Sequence, residues 1–414
     1  MKKEVAVKFG SATLLIGFVI TLGCTGAPPV DSPTPPVATA SAGPTQSPSP
    51  VPTPATFRAV RLAATIENLV VADFDNDGNL DIAGVLDPGE GTSLLFGVGD
   101  GTFEPAIELP GGKAPAWIAA ADFNGDGRLD IVRANLGGSD LVTGDDDIVV
   151  LLAQEDGSFE LLSTPVSRPA GVNSQAVAVG DFNGDDKPDL ATANTAEYVS
   201  IFAGLGDGTF EDLQDYPTDA PFASGIATAD FNGDGKLDLV TANSRSQRTV
   251  SLLLGAGDGT FGGPQVFSVG GPQPIFPVVG DFNADGMPDI AIADGYPTRY
   301  VSVLLGLAGG GFGESMQFTS SGPNPHSVVT ADLDGDGNLD LVAGNIGVEG
   351  GPVGDGYSLL RGLGDGTFLP GVDLVGDQFG ENIGATGDLD NDGRVDLVIR
   401  GNGELVLLFN EFPR

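Results

Sequence analysis

The stretch DFDNDGNLD, from Asp73 to Asp81, carries an acidic side chain at its first, third, fifth and ninth positions. Six further copies follow it, and each keeps Asp or Asn at the third position and Asp at the other three. They begin at Asp122 (DFNGDGRLD), Asp181 (DFNGDDKPD), Asp230 (DFNGDGKLD), Asp281 (DFNADGMPD), Asp332 (DLDGDGNLD) and Asp388 (DLDNDGRVD). Oxygen ligands at alternate positions of a tight turn suit a hard cation such as calcium. The sequence therefore predicts seven calcium-binding loops.

The residues around these loops exclude a helix–loop–helix calcium site. Such a site needs a bidentate Glu at its twelfth position, and none of the seven copies has one there. The flanks are short, apolar and partly β-branched, as in Leu69–Phe74 and Asp81–Val85, which is typical of strands. The seventh position varies freely, as expected where only a backbone carbonyl binds the ion. Each loop is therefore predicted to join two strands, with its ninth-position Asp reaching back to the ion.

Each repeat also contains an apolar strand that runs into a Gly-Asp-Gly turn and then a Phe. Ser93–Phe103 (SLLFGVGDGTF) and Ser251–Phe261 (SLLLGAGDGTF) show the pattern, and Asp-Gly between apolar runs is a strong hairpin signal. The repeat is about fifty residues long, in the range of propeller blades, and four antiparallel strands make one blade. The predicted fold class is all-β, a seven-bladed β-propeller of four-stranded antiparallel blades.

These units resemble the FG-GAP repeat, also called VCBS, whose best-known members form the seven-bladed propeller of integrin alpha subunits. The resemblance covers about Phe57 to Phe409. It implies that the side chains at loop positions one, three, five and nine bind calcium, together with the backbone carbonyl at position seven. The implied metal residues are Asp73, Asp75, Asp77, Asn79 and Asp81; Asp122, Asn124, Asp126, Arg128 and Asp130; Asp181, Asn183, Asp185, Lys187 and Asp189; Asp230, Asn232, Asp234, Lys236 and Asp238; Asp281, Asn283, Asp285, Met287 and Asp289; Asp332, Asp334, Asp336, Asn338 and Asp340; and Asp388, Asp390, Asp392, Arg394 and Asp396.

Two loops depart from the repeated pattern. Asp186 replaces the Gly at the sixth position of the third loop. The left-handed turn expected there is energetically unfavourable for any residue with a side chain. Ala284 replaces the Gly or Asn at the fourth position of the fifth loop.

The two ends of the repeat region predict how the ring closes. The seventh unit stops at Leu405–Phe409 without a turn or a fourth strand, whereas Phe57–Leu62 has the pattern that elsewhere follows the turn. Pairing these segments removes two exposed sheet edges at once. The propeller domain is therefore predicted to span residues 57–411.

Residues 1–23 are predicted to be a secretory signal peptide, because a positively charged start is followed by an apolar stretch shorter than a typical membrane-spanning helix. Cys24 follows in a context that resembles the lipobox of bacterial lipoproteins, which implies lipidation and a membrane anchor. The alternative is ordinary cleavage with Cys24 incidental. Residues 24–56 are rich in Pro, Ser and Thr, as in an extended tether. We expect an exported protein, either lipid-anchored at the outer surface of the cell envelope or extracellular.

The formal net charge of −39 disfavours nucleic acid as a partner. We also expect a monomer. Catalysis has little support in the sequence, because the single His326 is predicted to lie in a Pro-rich connecting loop and no catalytic set is evident. The expectation is therefore that the chain is not an enzyme but a module that binds an unknown protein or glycan. The alternative is an envelope enzyme that cleaves polysaccharide with carboxylates of Asp145–Asp147.

A ligand surface is predicted on the end of the propeller opposite the calcium loops. The loops there vary most, with insertions at Leu136–Asp147 and Ile346–Gly356. Aromatic residues near this end include Trp117, Tyr198, Tyr296 and Tyr300, with Arg299 beside the last two. The alternative is that these are solvated loops without a ligand, since surface loops tolerate insertion.

Overall fold

A computed structural model describes residues 57–62, 66–86, 91–110, 115–135, 148–162, 174–211, 214–218, 222–244, 248–347, 355–375, 383–401 and 404–412. The predicted signal peptide, Cys24 and the tether lie outside these residues, as do the insertion in the second unit and most of that in the sixth. Within the described ranges, no helix has the length and hydropathy needed to cross a membrane.

The described chain forms twenty-eight strands in seven four-stranded antiparallel sheets. Blades 1 to 3 contain β2 (Ile66–Ala72), β3 (Asp81–Leu86), β4 (Thr92–Leu95) and β5 (Ile107–Leu109); β6 (Pro115–Ala121), β7 (Asp130–Asn135), β8 (Ile148–Ala153) and β9 (Phe159–Leu161); and β10 (Ser174–Gly180), β11 (Asp189–Asn194), β12 (Tyr198–Phe202) and β13 (Gln214–Pro217). Blades 4 and 5 contain β14 (Ala223–Ala229), β15 (Asp238–Asn243), β16 (Thr249–Leu253) and β17 (Gln265–Ser268); and β18 (Ile275–Gly280), β19 (Asp289–Ala293), β20 (Tyr300–Leu304) and β21 (Met316–Thr319). Blades 6 and 7 contain β22 (Pro325–Ala331), β23 (Asp340–Ile346), β24 (Asp355–Leu360) and β25 (Val372–Val375); and β26 (Ile383–Gly387), β27 (Asp396–Gly401), β28 (Glu404–Asn410) and β1 (Phe57–Leu62).

The first strands of successive blades line the axis of the propeller. Each packs beside the first strand of the next blade, and β26 of blade 7 packs beside β2 of blade 1, which completes the ring. The nine-residue loops join the first and second strands, so they lie with the tight turns at one end, the metal-loop face. The loops between second and third strands and the connections between blades lie at the other end, the opposite face. The predicted seven-bladed propeller is confirmed.

The ring is closed by the pairing of β1 with β28, as the sequence predicted. The two strands are antiparallel and in register from Phe57 opposite Asn410 to Leu62 opposite Leu405. Side chains reinforce the pairing: the Arg58 guanidinium carbon lies 4.2 Å from the centroid of the Phe409 ring. The rings of Phe57 and Phe412 meet edge to face with centroids 5.8 Å apart.

The core lies between blades rather than within one blade. Seven clusters of buried apolar side chains each draw on two or more neighbouring blades. At the metal-loop face, the second-position Phe of a loop packs edge to face on the turn Phe of the next blade, as Phe123 does on Phe210 with centroids 5.7 Å apart. The carbonyl of Phe123 also accepts a hydrogen bond of 3.0 Å from the amide of Gly208 in that turn. The loops are therefore part of the interface between blades.

Candidate metal centres

The first, third and fifth side chains of each loop curl the backbone around themselves. In all seven loops the first Asp accepts a hydrogen bond from the amide of the sixth residue, at 2.7–3.0 Å. The third side chain accepts from the amide of the fifth residue at 2.8–3.3 Å. The fifth accepts from the amide of the seventh at 2.7–3.1 Å. A carboxylate has about four lone-pair sites, so these oxygens retain capacity for a cation.

The ninth-position Asp is buried and holds two segments of its blade together. In every blade its Oδ2 accepts from the amide of the second loop residue at 2.7–3.1 Å. Its Oδ1 accepts from an amide at the end of the third strand at 2.7–2.9 Å, as from Gly97 to Asp81. The sequence predicted only that this residue reaches the ion, and its structural role became visible in the fold.

Burial raises the pKa of each ninth Asp above its ordinary value, although the two backbone hydrogen bonds act in the opposite direction. The raised pKa is about 7 for Asp81, Asp130, Asp340 and Asp396, and about 6 for Asp189, Asp238 and Asp289. The carboxylates of the same loop contribute a smaller increase by repulsion. A cation bound in the loop would supply the compensating positive charge.

In each of three loops, the carboxylate oxygens lie close enough together to bind a cation of their own. Within each of three sets, one oxygen from each residue lies within 4.8 Å of the others: Asp73, Asp75 and Asp81; Asp332, Asp334 and Asp336; and Asp388, Asp390 and Asp396. These are the three loops with Asp at the third position, whereas the other four carry Asn there. The clusters can hold a metal ion, and a donor set of oxygens alone fits a hard cation.

The seventh-position side chains pair with the fifth-position carboxylate in several loops. Arg128 Nη2 lies 2.5 Å from Asp126 Oδ2, Lys187 Nζ lies 3.3 Å from Asp185 Oδ2, and Arg394 pairs with Asp392 in the same way. These contacts use the side chain of the seventh residue and leave its backbone carbonyl as the implied ligand. The assignment of the individual ligands stays a prediction.

The fourth and sixth residues of every loop adopt left-handed backbone conformations. At the sixth position Asp186 has φ of 65° where the other loops have Gly, and at the fourth position Ala284 has φ of 56°. A side chain in this region costs about 1–2 kcal/mol. The two departures seen in the sequence are therefore points of backbone strain.

Ala284→Gly should stabilise the protein by about 0.5–1 kcal/mol, because relief of the left-handed strain exceeds the added freedom of the unfolded chain. Denaturant unfolding at saturating calcium measures the change. Gly125→Ala is the matched control at the fourth position of loop 2, where φ is 74° and no atom lies within 4 Å of the added Cβ. It should destabilise by about 1 kcal/mol. Equal stabilities for Ala284→Gly and wild type would contradict the strain argument.

Away from the loops, blade 5 contains a buried carboxylate where blades 3, 4 and 6 have a buried Asn. Asn194, Asn243 and Asn345 each donate from Nδ2 to a Ser hydroxyl of the third strand, at 2.8–2.9 Å. At the corresponding place Asp294 accepts from the hydroxyl of Ser302 at 2.8 Å. Asp294 is fully buried, and burial raises its pKa to about 6, despite hydrogen bonds that favour the charged form.

Asp294→Asn should stabilise the protein by about 3 kcal/mol at pH 7, because the folded pKa of about 6 exceeds the unfolded value of 3.8. Ionisation of Asp294 costs stability above the unfolded pKa, so the gain should shrink as the pH falls from 7 to 5. Urea unfolding across this range at saturating calcium measures it. Asn243→Asp in blade 4 is the reverse control and should destabilise most at pH 7. A pH-independent difference between Asp294→Asn and wild type would refute the assignment.

The aromatic residues predicted for the opposite face differ in exposure. Tyr296 and Tyr300 are 54% and 40% exposed, whereas Trp117 and Tyr198 are half-buried. His326 lies within β22 rather than in a connecting loop, and its ring meets Phe276. Phe276 had no motif in the sequence to single it out.

The structure defines a β-propeller with one acidic nine-residue loop in each blade, and the sequence comparison identifies the repeat. The model of the FG-GAP-like repeat matches residues 73–132, 137–192, 181–241, 230–292 and 281–343. Four of the five matches begin at the first Asp of one loop and end two or three residues after the last Asp of the next loop. The chain belongs to the FG-GAP-like repeat family. None of the curated proteins matches the chain.

Several solved structures share the fold at low sequence identity. A lectin from Agrocybe aegerita, solved in connection with recognition of non-reducing terminal N-acetylglucosamine, is 21% identical with a TM-score of 0.52, covering 78% of this chain and 81% of the lectin. A protein from Lactobacillus plantarum is 16% identical with a TM-score of 0.54, covering 75% and 85%. The periplasmic gluconolactonase of Pseudomonas aeruginosa is 15% identical with a TM-score of 0.52, covering 75% and 86%. At these identities the likeness concerns the fold alone.

The gluconolactonase corrects one expectation from the sequence. We expected the chain not to be an enzyme, because no catalytic set was evident around its single His326. A propeller that shares this fold is an enzyme. The expectation that the chain is not an enzyme is therefore wrong, because the fold is compatible with catalysis. One fold supports unrelated functions, and both binding and catalysis occur on it.

Proposed function

We propose that this protein is an exported, calcium-stabilised propeller that binds a carbohydrate with its opposite face. The observation that carries the proposal is the structural difference between the two faces. The metal-loop face consists of fixed loops and turns that pack between blades, whereas the opposite face has the variable loops and the exposed Tyr296 and Tyr300. Aromatic side chains with polar tips are common in binding surfaces.

Calcium as the ion is supported by the donor set and by the predicted location. Oxygen ligands gathered within 4.8 Å of one another, as in loops 1, 6 and 7, suit calcium, and extracellular calcium modules bind at about 10⁻⁴–10⁻³ M. A signal peptide over residues 1–23 would take the protein to a compartment where such concentrations occur. A lipid on Cys24 with the tether after it would hold the propeller at the outer surface of the envelope.

Carbohydrate is the preferred ligand class because the names of two of the structural neighbours refer to sugars or sugar derivatives. One recognises N-acetylglucosamine and the other is a gluconolactonase. The formal net charge of −39 disfavours anionic polymers, so neutral glycans fit better than acidic ones.

A carbohydrate array tests the proposal. The calcium-loaded protein would be screened on neutral oligosaccharides, including the N-acetylglucosamine trimer, beside acidic polysaccharides and a protein panel. We expect selective binding to neutral glycans that is lost after chelation. Binding to proteins alone would overturn the carbohydrate assignment. Release of reducing ends from a member of the panel would identify a glycan-cleaving enzyme instead.

A further inference from the structure

The only Trp and the only His of the chain meet a Phe near the propeller axis on the opposite face. The rings of Trp117 in β6 and Phe276 in β18 stack with centroids 5.0 Å apart and planes at 30°. Phe276 meets His326 of β22 edge to face at 6.4 Å. Trp117, Phe276 and His326 are named here the axial aromatic cluster. Blades 2 and 5, which contain β6 and β18, are not neighbours. The contact between Trp117 and Phe276 therefore crosses the interior of the ring.

The architecture of the first strands places these rings at the axis. Each first strand has a register shift near its start, and such a bulge re-aims a side chain. Phe276 and His326 occupy the bulged positions of blades 5 and 6. Between blades 2 and 5 the residues after the bulge are small, Ala176 and Gly225. A Cβ on Gly225 would lie 2.7 Å from the Cα of Phe276, so a larger residue would not fit there.

The backbone of Phe276 is strained. Its φ is 42°, in the region that bulky residues rarely adopt. Strain of this kind persists where surrounding structure enforces it, and it concentrates at functional sites. A Gly at this position would satisfy the same backbone without strain but would remove the ring from the stack.

Two bulged positions next to the axial aromatic cluster carry uncharged polar side chains. The bulged positions of blades 3 and 4 carry Gln175 and Ser224, both half-buried, and the Ser224 hydroxyl donates to the Pro274 carbonyl at 3.0 Å, next to blade 5's first strand. The blade 5 loop that carries the exposed Tyr296 is tied to β22 beside His326, because the Gly295 amide donates to the Pro325 carbonyl at 2.9 Å. Aromatic rings with a few hydrogen-bonding groups characterise small-molecule sites.

We propose that the axial aromatic cluster is the binding site for the apolar face of a neutral sugar ring. The inference rests on the proposed carbohydrate-binding function and adds the location and the contacts. Trp117 and Phe276 supply uncharged ring surface for stacking, and the amide and hydroxyl groups of the neighbouring blades supply hydrogen bonds to the sugar hydroxyls. Anionic sugars are disfavoured by the acidic chain.

Trp fluorescence tests the site directly, because Trp117 is the only Trp. The calcium-loaded full chain would be titrated with the N-acetylglucosamine trimer and with each other neutral oligosaccharide that the array retains. We expect a saturable change in emission at the concentrations that saturate array binding. Phe276→Gly should lower affinity at least about tenfold, while its melting temperature stays within about 3 °C of wild type because strain relief offsets the lost stacking.

Two further variants keep the result interpretable. Val266→Thr changes an exposed side chain of the outer strand β17 and should leave sugar affinity unchanged. Trp117→Phe, read on the array, keeps an aromatic ring in the core clusters and should also weaken binding. Array binding by wild type that persists in Phe276→Gly, without any emission change, would overturn this site and leave the carbohydrate function standing. No binding of any neutral sugar to wild type would overturn both.

Discussion

A protein that lacks residues 57–62 should lose its single cooperative unfolding transition and aggregate. These residues form β1, the fourth strand of blade 7, and their removal exposes the edge of β28 from Leu405 to Asn410. An unpaired strand edge is a template for pairing with another chain. The deletion also removes the stacking of Arg58 on Phe409 and the ring contact of Phe57 with Phe412. Analytical ultracentrifugation and differential scanning calorimetry measure the outcome.

The matched control for this deletion removes residues 25–56, the predicted tether, and keeps β1. This variant should remain monodisperse and unfold as the wild type does, because it retains every pair of the β1–β28 ladder. A monomeric protein with one sharp transition after loss of residues 57–62 would show that the ring does not depend on this strand.

Removal of calcium should produce the second large effect, a fall in melting temperature of about 20–30 °C. A ligand at a hundredfold excess over its Kd adds about 2.7 kcal/mol of stability per site. Seven such sites contribute on the order of 20 kcal/mol, and the unfolding entropy of a domain of this size converts that energy into the stated shift. Without a cation, the carboxylates gathered in loops such as Asp73, Asp75 and Asp81 repel one another.

Calorimetry before and after chelation measures this shift, with elemental analysis to verify that the metal has been removed. Chelator saturated with calcium beforehand is the control and should leave the melting temperature unchanged. Magnesium should restore less stability than calcium, because it demands a stricter octahedral geometry. An identical melting curve for the metal-free protein would refute the proposed role of calcium.

The repeated motifs were enough to predict the class, the blade number and the closure of the fold. Strand type follows from short apolar runs between turn signals, and the spacing of the loops follows the blade period. The pairing of Phe57–Leu62 with the last strand followed from a missing element at one end and an extra one at the other. These features are local in sequence, so they are visible without the fold.

The acidic clusters of loops 1, 6 and 7 were also visible in the sequence, because a loop of nine residues contains its own oxygen donors; the assignment of individual ligands stays a prediction. The alternation of Asp and Asn identified them, and Asp186 and Ala284 stood out as departures before their left-handed conformations were seen. The second role of the ninth Asp was not predictable, because its partner amide, Gly97 in blade 1, lies on another strand.

Only the tertiary structure decided what surrounds the axis and what is buried. Trp117 and Phe276 are far apart in the sequence and belong to different repeats, and no periodic pattern links them. They meet because the ring brings all first strands to one axis and the small residues of the blades between them leave room. The burial of Asp294 is likewise a property of packing, since the same residue on a surface loop would keep its ordinary pKa. Local motifs determine which element forms, whereas contacts across the ring depend on how all seven elements pack.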